Sequence, residues 1–210
     1  MNLPNKLTLL RFLLVPVFMF FVETSAFMQG GEFVNMYGEP QYAGCNMIIA
    51  LVIFAVASFT DFLDGSIARK YNLVTDFGKF MDPLADKVLT TAAIIYLVKL
   101  NLCSTIVLIL ILTREFAVSG IRMIAASSAG GGKVIAASMW GKVKTVMQMV
   151  TVIVAFLFLG LLEMAVPFAV ENAAAMYMLI NAAMWIVAIA TVVSGMQYII
   201  PNFDLIKNAK

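Results

Sequence analysis

The chain has 210 residues, 62% of them hydrophobic and 12% charged, with a formal net charge of +2 and a mean hydropathy of +0.97. A soluble domain sits nearer half apolar and a quarter charged, so this composition predicts an all-α integral membrane protein with room for about six spans of roughly 20 residues. No basic tract suggests a nucleic-acid partner, and the absence of histidine excludes a Ser-His-Asp triad, histidine metal ligands and histidine-based phosphatidyl transfer. Any general base must then be a carboxylate or a lysine.

The first apolar run reaches from Asn5 to about Met28. Its charged start has the outline of a signal peptide but lacks a convincing small-residue cleavage site, so the run is read as retained. Asn5 can cap a helix here. Arg11 lies inside the run, where a charge is costly unless it snorkels or has a partner. Asn5, Thr8 and Arg11 sit three apart and share a helical face. Two readings stand: a cap with a snorkelling arginine, or a face that touches a ligand. Residues 29–41, QGGEFVNMYGEPQ, hold Gly30, Gly31, Gly38 and Pro40 and read as a loop.

A second span, from about Tyr42 to Phe59, leads straight into SFTDFLDGSIARKYNLVTDFGKFMDPLADKV. Asp61 and Asp64 are three apart, and Asp82 and Asp86 four apart. On helices each pair falls on one face. Gly65 follows Asp64, Ala68 lies four beyond it, and Gly78 lies four before Asp82. Each carboxylate pair thus stands beside residues with little or no side chain, where a bulky ligand can approach the backbone. Facing carboxylates repel one another without a counter-charge. Hard divalent cations supply it, and oxygen-only ligands suit Mg²⁺ or Mn²⁺. Two metals about 4 Å apart can clamp an in-line phosphoryl displacement. The bland alternative, stronger for one pair than for the whole pattern, is a solvated acidic loop. Thr75 or Asp76 can cap the second aspartate helix and Pro83 should kink it. A third span runs on to about Val98, with a turn around Asn101.

The fourth span, about Thr105 to Ala126, contains TREFAVSGIRM. Its Arg114, Glu115 and Arg122 are functional candidates because ionisable groups are costly in a membrane helix; the structural alternative is an Arg–Glu pair that joins helices. The loop SSAGGGKVIAASMWGKVKT does not match a P-loop and reads as a turn. Lys142 and Lys144 precede a fifth span, about Val146 to Pro167, either as interfacial anchors or, with Arg122, as a cationic pocket for an anionic substrate. A sixth span runs from about Ala173 to Ile200, its Met-rich and Ala-rich faces reading as helix packing. Cys45 and Cys103 fall near outer span ends, as a disulfide or as inert thiols. There is no internal repeat, and one domain covers residues 1–210. With six spans, Lys6, Arg69, Lys70, Lys79, Lys87, Lys133, Lys142, Lys144, Lys207 and Lys210 fall on one side and Lys99 with several glutamates on the other. The positive side is cytoplasmic, so both termini and the aspartate stretch are expected there.

The full pattern, D-x2-D-G-x2-A-R-x8-G-x3-D-x3-D, resembles the signature of the CDP-alcohol phosphotransferases, and Asp61, Asp64, Gly65, Ala68, Arg69, Gly78, Asp82 and Asp86 fill every position. The N-terminal run, TREFAVSGIRMIAAS, KVIAASMWGKVKTVMQM and SGMQYI are similar to the bacterial phosphatidylglycerophosphate synthase branch, from about Asn5 to Ile200. The resemblance implies transfer of the phosphatidyl group of CDP-diacylglycerol to sn-glycerol 3-phosphate with release of CMP. It implies two divalent metal ions held by Asp61, Asp64, Asp82 and Asp86, with Asp86 also the base. It implies that Gly65, Ala68, Arg69, Gly78, Asn5 and Thr8 line the cytidine diphosphate, and that Arg114, Arg122, Lys142 and Lys144 hold the phosphate of the acceptor. It further implies a homodimer in the bacterial cytoplasmic membrane. A sister enzyme that uses phosphatidylglycerol or an inositol phosphate shares the signature, although the cations after the aspartates favour a phosphorylated acceptor. A cation transporter would explain the intramembrane charges but not the glycines or Arg69.

Overall fold

The computed structural model describes the backbone of residues 3–25, 28, 44–71, 76–127 and 139–202, and the side chains of residues 9–25, 28, 44–60, 87–121 and 139–201. The regular structure among the described residues is all helical, without a strand: α1 (Leu3–Glu23), α2 (Asn46–Tyr71), α3 (Asp76–Lys99), α4 (Thr105–Ser127), α5 (Met139–Glu163), α6 (Pro167–Glu171) and α7 (Ala173–Ile199), closed by a 3₁₀ turn at Ile200–Asn202. The long helices run from 21 to 27 residues. Two of them, α5 and α7, are long and apolar enough to cross a membrane. Large apolar side chains such as Phe20, Ile106, Phe116, Val146, Ile189 and Met196 are exposed along the helices, a surface suited to lipid rather than water.

The chain divides into two compact units, residues Met1–Leu102 with Val152–Met178 and residues Cys103–Thr151 with Leu179–Lys210. In the first unit α1 packs against α2 and α3. Phe18 is fully buried, its ring 6.2 Å from Phe54, 6.1 Å from Tyr96 and 5.4 Å from Phe156. One aromatic side chain of α1 therefore ties α2, α3 and α5, each pair adding about 0.5–1.5 kcal/mol beyond the area it buries. Gly160 lets α5 approach α2: a Cβ there would stand 2.3 Å from Ile48 Cδ1.

The helix ends away from the aspartates are tied by polar groups. Glu23 accepts hydrogen bonds from Tyr96 Oη at 3.1 Å and Lys99 Nζ at 3.2 Å. Asn46 Nδ2 donates to the carbonyl of Thr24 at 2.8 Å. Glu163, 1% exposed, accepts the backbone N–H of Met47 at 2.8 Å. That N–H is one of the donors a helix start leaves unsatisfied, and a carboxylate suits the positive end of the helix dipole. A Cβ on Gly44 would come within 2.8 Å of the Glu163 carboxylate, so the chain entering α2 passes close over it. Helix α3 ends through Asn101 at φ 61°, with Leu102 N–H on Leu97 O at 2.8 Å, and α5 through Ala165 at φ 53°, with Val166 N–H on Leu161 O at 3.0 Å. Both are left-handed helix stops.

In the second unit Val118, Ile121 and Tyr198 form a small core with Ile199 against it. Gly195 of α7 makes room for the stem of Arg114: a Cβ there would lie 2.9 Å from Arg114 Cγ.

Several boundaries differ from expectation. Helix α1 starts at Leu3, so Asn5 lies inside its first turn and does not cap it. It stops at Glu23 rather than near Met28, where Ser25 Oγ turns back onto Val22 O at 2.6 Å. Arg11 is 1% exposed and so does not snorkel; it has a partner within the fold. Pro83 lies inside α3, as expected. Helix α5 begins at Met139 and so contains Lys142 and Lys144, which were expected to precede the span. The expected linker before Ala173 holds the short α6, which starts on Pro167 and buries Ala169. Both cysteines are free thiols; Cys103 is buried, which pushes its thiol up to about 11 and leaves it protonated at neutral pH. The loop at 29–41 and the GGGK turn lie outside the described residues.

Candidate active site

The spacing argument for the aspartates required helices, and helices are there. Asp61, Asp64, Gly65, Ala68 and Arg69 fall within α2, and Gly78, Asp82 and Asp86 within α3. Both helices belong to the first compact unit and pack against α1. The aspartates occupy the C-terminal half of α2 and the N-terminal half of α3. Their side chains, and those of Asn5, Thr8 and Arg122, lie outside the described residues. Together these four carboxylates would offer an all-oxygen donor set, the kind that suits hard divalent ions.

The cations expected to bind phosphate separate into distinct environments. Lys142 is exposed on α5. Lys144 is 2% exposed and its Nζ is paired with Glu115 Oε1. Arg114 Nη1 lies 3.2 Å from the same oxygen, with its side chain 12% exposed. The pair that joins helices is thus Lys144–Glu115, between α5 and α4, while Arg114 and Glu115 are neighbours on α4. One carboxylate, that of Glu115, thus faces two cations, Arg114 and Lys144. One turn along α5 from Lys144 lies Gln148, 7% exposed. Sequence reasoning passed over Glu115 as a partner of Lys144 and over Gln148. The available signal was the four-residue spacing of Lys144 and Gln148 on a helix whose other polar side chains beyond Thr145 are only Thr151 and Glu163.

The family model for CDP-alcohol phosphatidyltransferase matches residues 1–197. The chain is 40% identical over 208 residues to the CDP-diacylglycerol–glycerol-3-phosphate 3-phosphatidyltransferase of Bacillus subtilis (strain 168), which spans 99% of this chain and 98% of that protein. It is 36% identical over 199 residues to the protein of the same name from Rickettsia felis, covering 94% and 93% of the two chains. A third of that name, from Mycoplasma pneumoniae, is 34% identical over 153 residues, 72% of this chain and 66% of that one. With a match that takes in the aspartate helices, the cationic cluster and nearly all of α7, the chain belongs to the CDP-alcohol phosphatidyltransferase family.

Proposed function

We propose that this chain transfers the phosphatidyl group of CDP-diacylglycerol to sn-glycerol 3-phosphate, giving phosphatidylglycerol phosphate and CMP. The observation that carries the reading is end-to-end similarity to relatives of that name in a chain whose eight signature positions are all filled.

The C1 hydroxyl of the acceptor attacks the phosphorus on the lipid side. The bond from that phosphorus to the bridging oxygen breaks, and CMP leaves with the electron pair. Asp86 takes the hydroxyl proton, since the chain has no histidine to do so. Asp61, Asp64, Asp82 and Asp86 would hold two divalent ions, Mg²⁺ or Mn²⁺, which when bound neutralise the pyrophosphate and the leaving group. Gly65, Ala68 and Gly78 let the cytidine diphosphate approach the helix backbones, with Arg69, Asn5 and Thr8 beside it. Arg114, Arg122, Lys142 and Lys144 supply the positive charge for the phosphate of the acceptor. The protein spans the bacterial cytoplasmic membrane six times, with both termini and the aspartate helices toward the cytoplasm, where CTP-derived nucleotides are made, and it works as a homodimer.

The test is CMP release from CDP-diacylglycerol by the purified protein offered sn-glycerol 3-phosphate, phosphatidylglycerol or an inositol phosphate. Only the first should support turnover, and a chelator should abolish it. Preference for either other acceptor overturns the reading. Within it, Asp86→Asn should bind CDP-diacylglycerol within about tenfold of wild type yet lose about 10²–10⁴ in kcat, while Asp64→Asn should weaken binding as well. If Asp86→Asn instead loses binding as badly as Asp64→Asn while its kcat at saturation survives, Asp86 is a ligand only.

A further inference from the structure

Gln148 lies on α5, is 7% exposed, and its Oε1 is buried with no hydrogen-bond partner among the described residues. Most buried polar atoms are satisfied, so an orphan calls for an explanation. A carbonyl oxygen only accepts, so its missing partner must present an O–H or N–H. Gln148 follows Lys144 by four residues, which puts the two on one face of α5 at a rise of about 6 Å. Lys144 is 2% exposed and paired with Glu115, which also holds Arg114. Along one stripe of the second unit, two cations that share the carboxylate of Glu115 therefore stand one helical turn from an acceptor that lacks a donor.

A small molecule with an anion at one end and a hydroxyl a few bonds away matches that order. The acceptor proposed above is one: a phosphate, then a C2 hydroxyl that takes no part in the transfer. We infer that Gln148 Oε1 accepts a hydrogen bond from the C2 hydroxyl of sn-glycerol 3-phosphate and is a specificity-determining residue for the acceptor. The inference rests on the functional reading above and deepens it. Gln148 distinguishes a glycerol phosphate from a phosphorylated alcohol that lacks the second hydroxyl. The competing occupant is a buried water, which satisfies the same oxygen without reading the substrate.

The experiment compares kcat/KM for sn-glycerol 3-phosphate with that for 1,3-propanediol monophosphate, which lacks only the C2 hydroxyl, in wild type, Gln148→Met and Gln148→Glu. Methionine matches glutamine in length and removes the acceptor. The expected result is a loss of about tenfold with glycerol 3-phosphate in Gln148→Met, with the deoxy acceptor little changed, so that the preference for the natural acceptor collapses. Gln148→Glu keeps an acceptor oxygen at that position and should keep the preference for the acceptor that carries the C2 hydroxyl. Without acceptor, Gln148→Met should be at least as thermally stable in detergent as wild type, because an unsatisfied polar atom gives way to an apolar one. Equal losses with both acceptors, an unmoved preference, or failure of Gln148→Met to fold overturns the inference, because each marks the amide as structural or water-held. If wild type releases no CMP with glycerol 3-phosphate, the functional reading fails and takes the inference with it. If wild type does so and the preference of Gln148→Met is unmoved, only the inference fails.

Discussion

In the first unit Glu23 takes Tyr96 and Lys99, one carboxylate against one ammonium and one neutral hydroxyl; in the second, Glu115 takes Arg114 and Lys144, one carboxylate against two cations. The Lys–Glu pairs are chemically alike and physically opposite. Lys99 and Glu23 are 54% and 50% exposed, whereas Lys144 is 2% exposed. An exposed pair of this kind contributes about 0.2–1 kcal/mol and is screened by salt. A buried pair recovers little more than its own desolvation cost, so its stability does not explain why it is there. The first cluster is balanced in charge, and its neighbours Asn46 and Glu163 close onto backbone groups. The second sets two cations against the carboxylate of Glu115 and has, one turn away, an acceptor without a donor. A polar cluster that closes on itself holds helices together; one with an unmatched buried acceptor beside it fits the ligand contact inferred above.

The largest effect that could break this contrast is at Glu115. Glu115→Leu removes the carboxylate paired with a buried lysine and should cost about 3–5 kcal/mol, read as a steep fall of Tm in detergent. Glu115→Leu with Lys144→Met should recover part of that stability, Arg114 still lacking its carboxylate, and yet not recover turnover with sn-glycerol 3-phosphate. A double variant that is both stable and fully active would show that the second cluster is as structural as the first.

Next in size is Glu163, which belongs to the closed set. Glu163→Ala leaves the Met47 N–H at the start of α2 without its carboxylate and should cost about 1–3 kcal/mol. Glu163→Gln keeps an oxygen in place and should cost less. In both, turnover per folded molecule should match wild type. A large loss of kcat at unchanged Tm would mean that this end of the unit is not purely structural.

The same contrast explains what could be read from the sequence. Hydropathy finds the long helices, and the aspartate spacing implies helical segments that α2 and α3 supply through Tyr71 and from Asp76. Lys142 and Lys144 look like a membrane boundary because hydropathy registers a charge and not its partner. That partner, Glu115, is 29 residues away from Lys144, and the pairing lets α5 begin seven residues before the expected Val146. The same blindness applies to Arg11, which is buried rather than snorkelling. Helix α6 has five residues, too few for an apolar period to emerge. Gln148 was invisible because a missing partner is a property of the packed structure and leaves no pattern in the chain.

A smaller effect sharpens the structural side of the comparison. Ala165 stops α5 just beyond Glu163 at φ 53°, a conformation that costs a residue with a Cβ about 1–2 kcal/mol. Glycine removes that strain but loses about 0.5–1 kcal/mol through its freer unfolded chain. Ala165→Gly should therefore raise stability by about 0.5–1 kcal/mol, the difference between those two effects, with turnover unchanged. A fall in Tm would show that the methyl of Ala165 packs usefully enough to outweigh its backbone strain.

The smallest expected effect is at Lys99, and it is the mirror of the one at Lys144. Lys99→Ala removes the ammonium from Glu23, but Tyr96 still donates to that carboxylate at 3.1 Å, and both charged side chains of the lost pair are about half exposed. Water can replace the lost contact, and no buried charge is left behind. The cost should be at most about 0.5 kcal/mol at low salt, and it should shrink further at high salt, where exposed charges are screened within about 3–10 Å. Turnover and both substrate KM values should match wild type. A Lys99→Ala variant that loses several kcal/mol, or whose deficit persists in high salt, would show that this pair is held as tightly as the buried one. Exposure would then not be what separates the two clusters, and the unmatched acceptor of Gln148 would stand alone as the mark of a ligand contact.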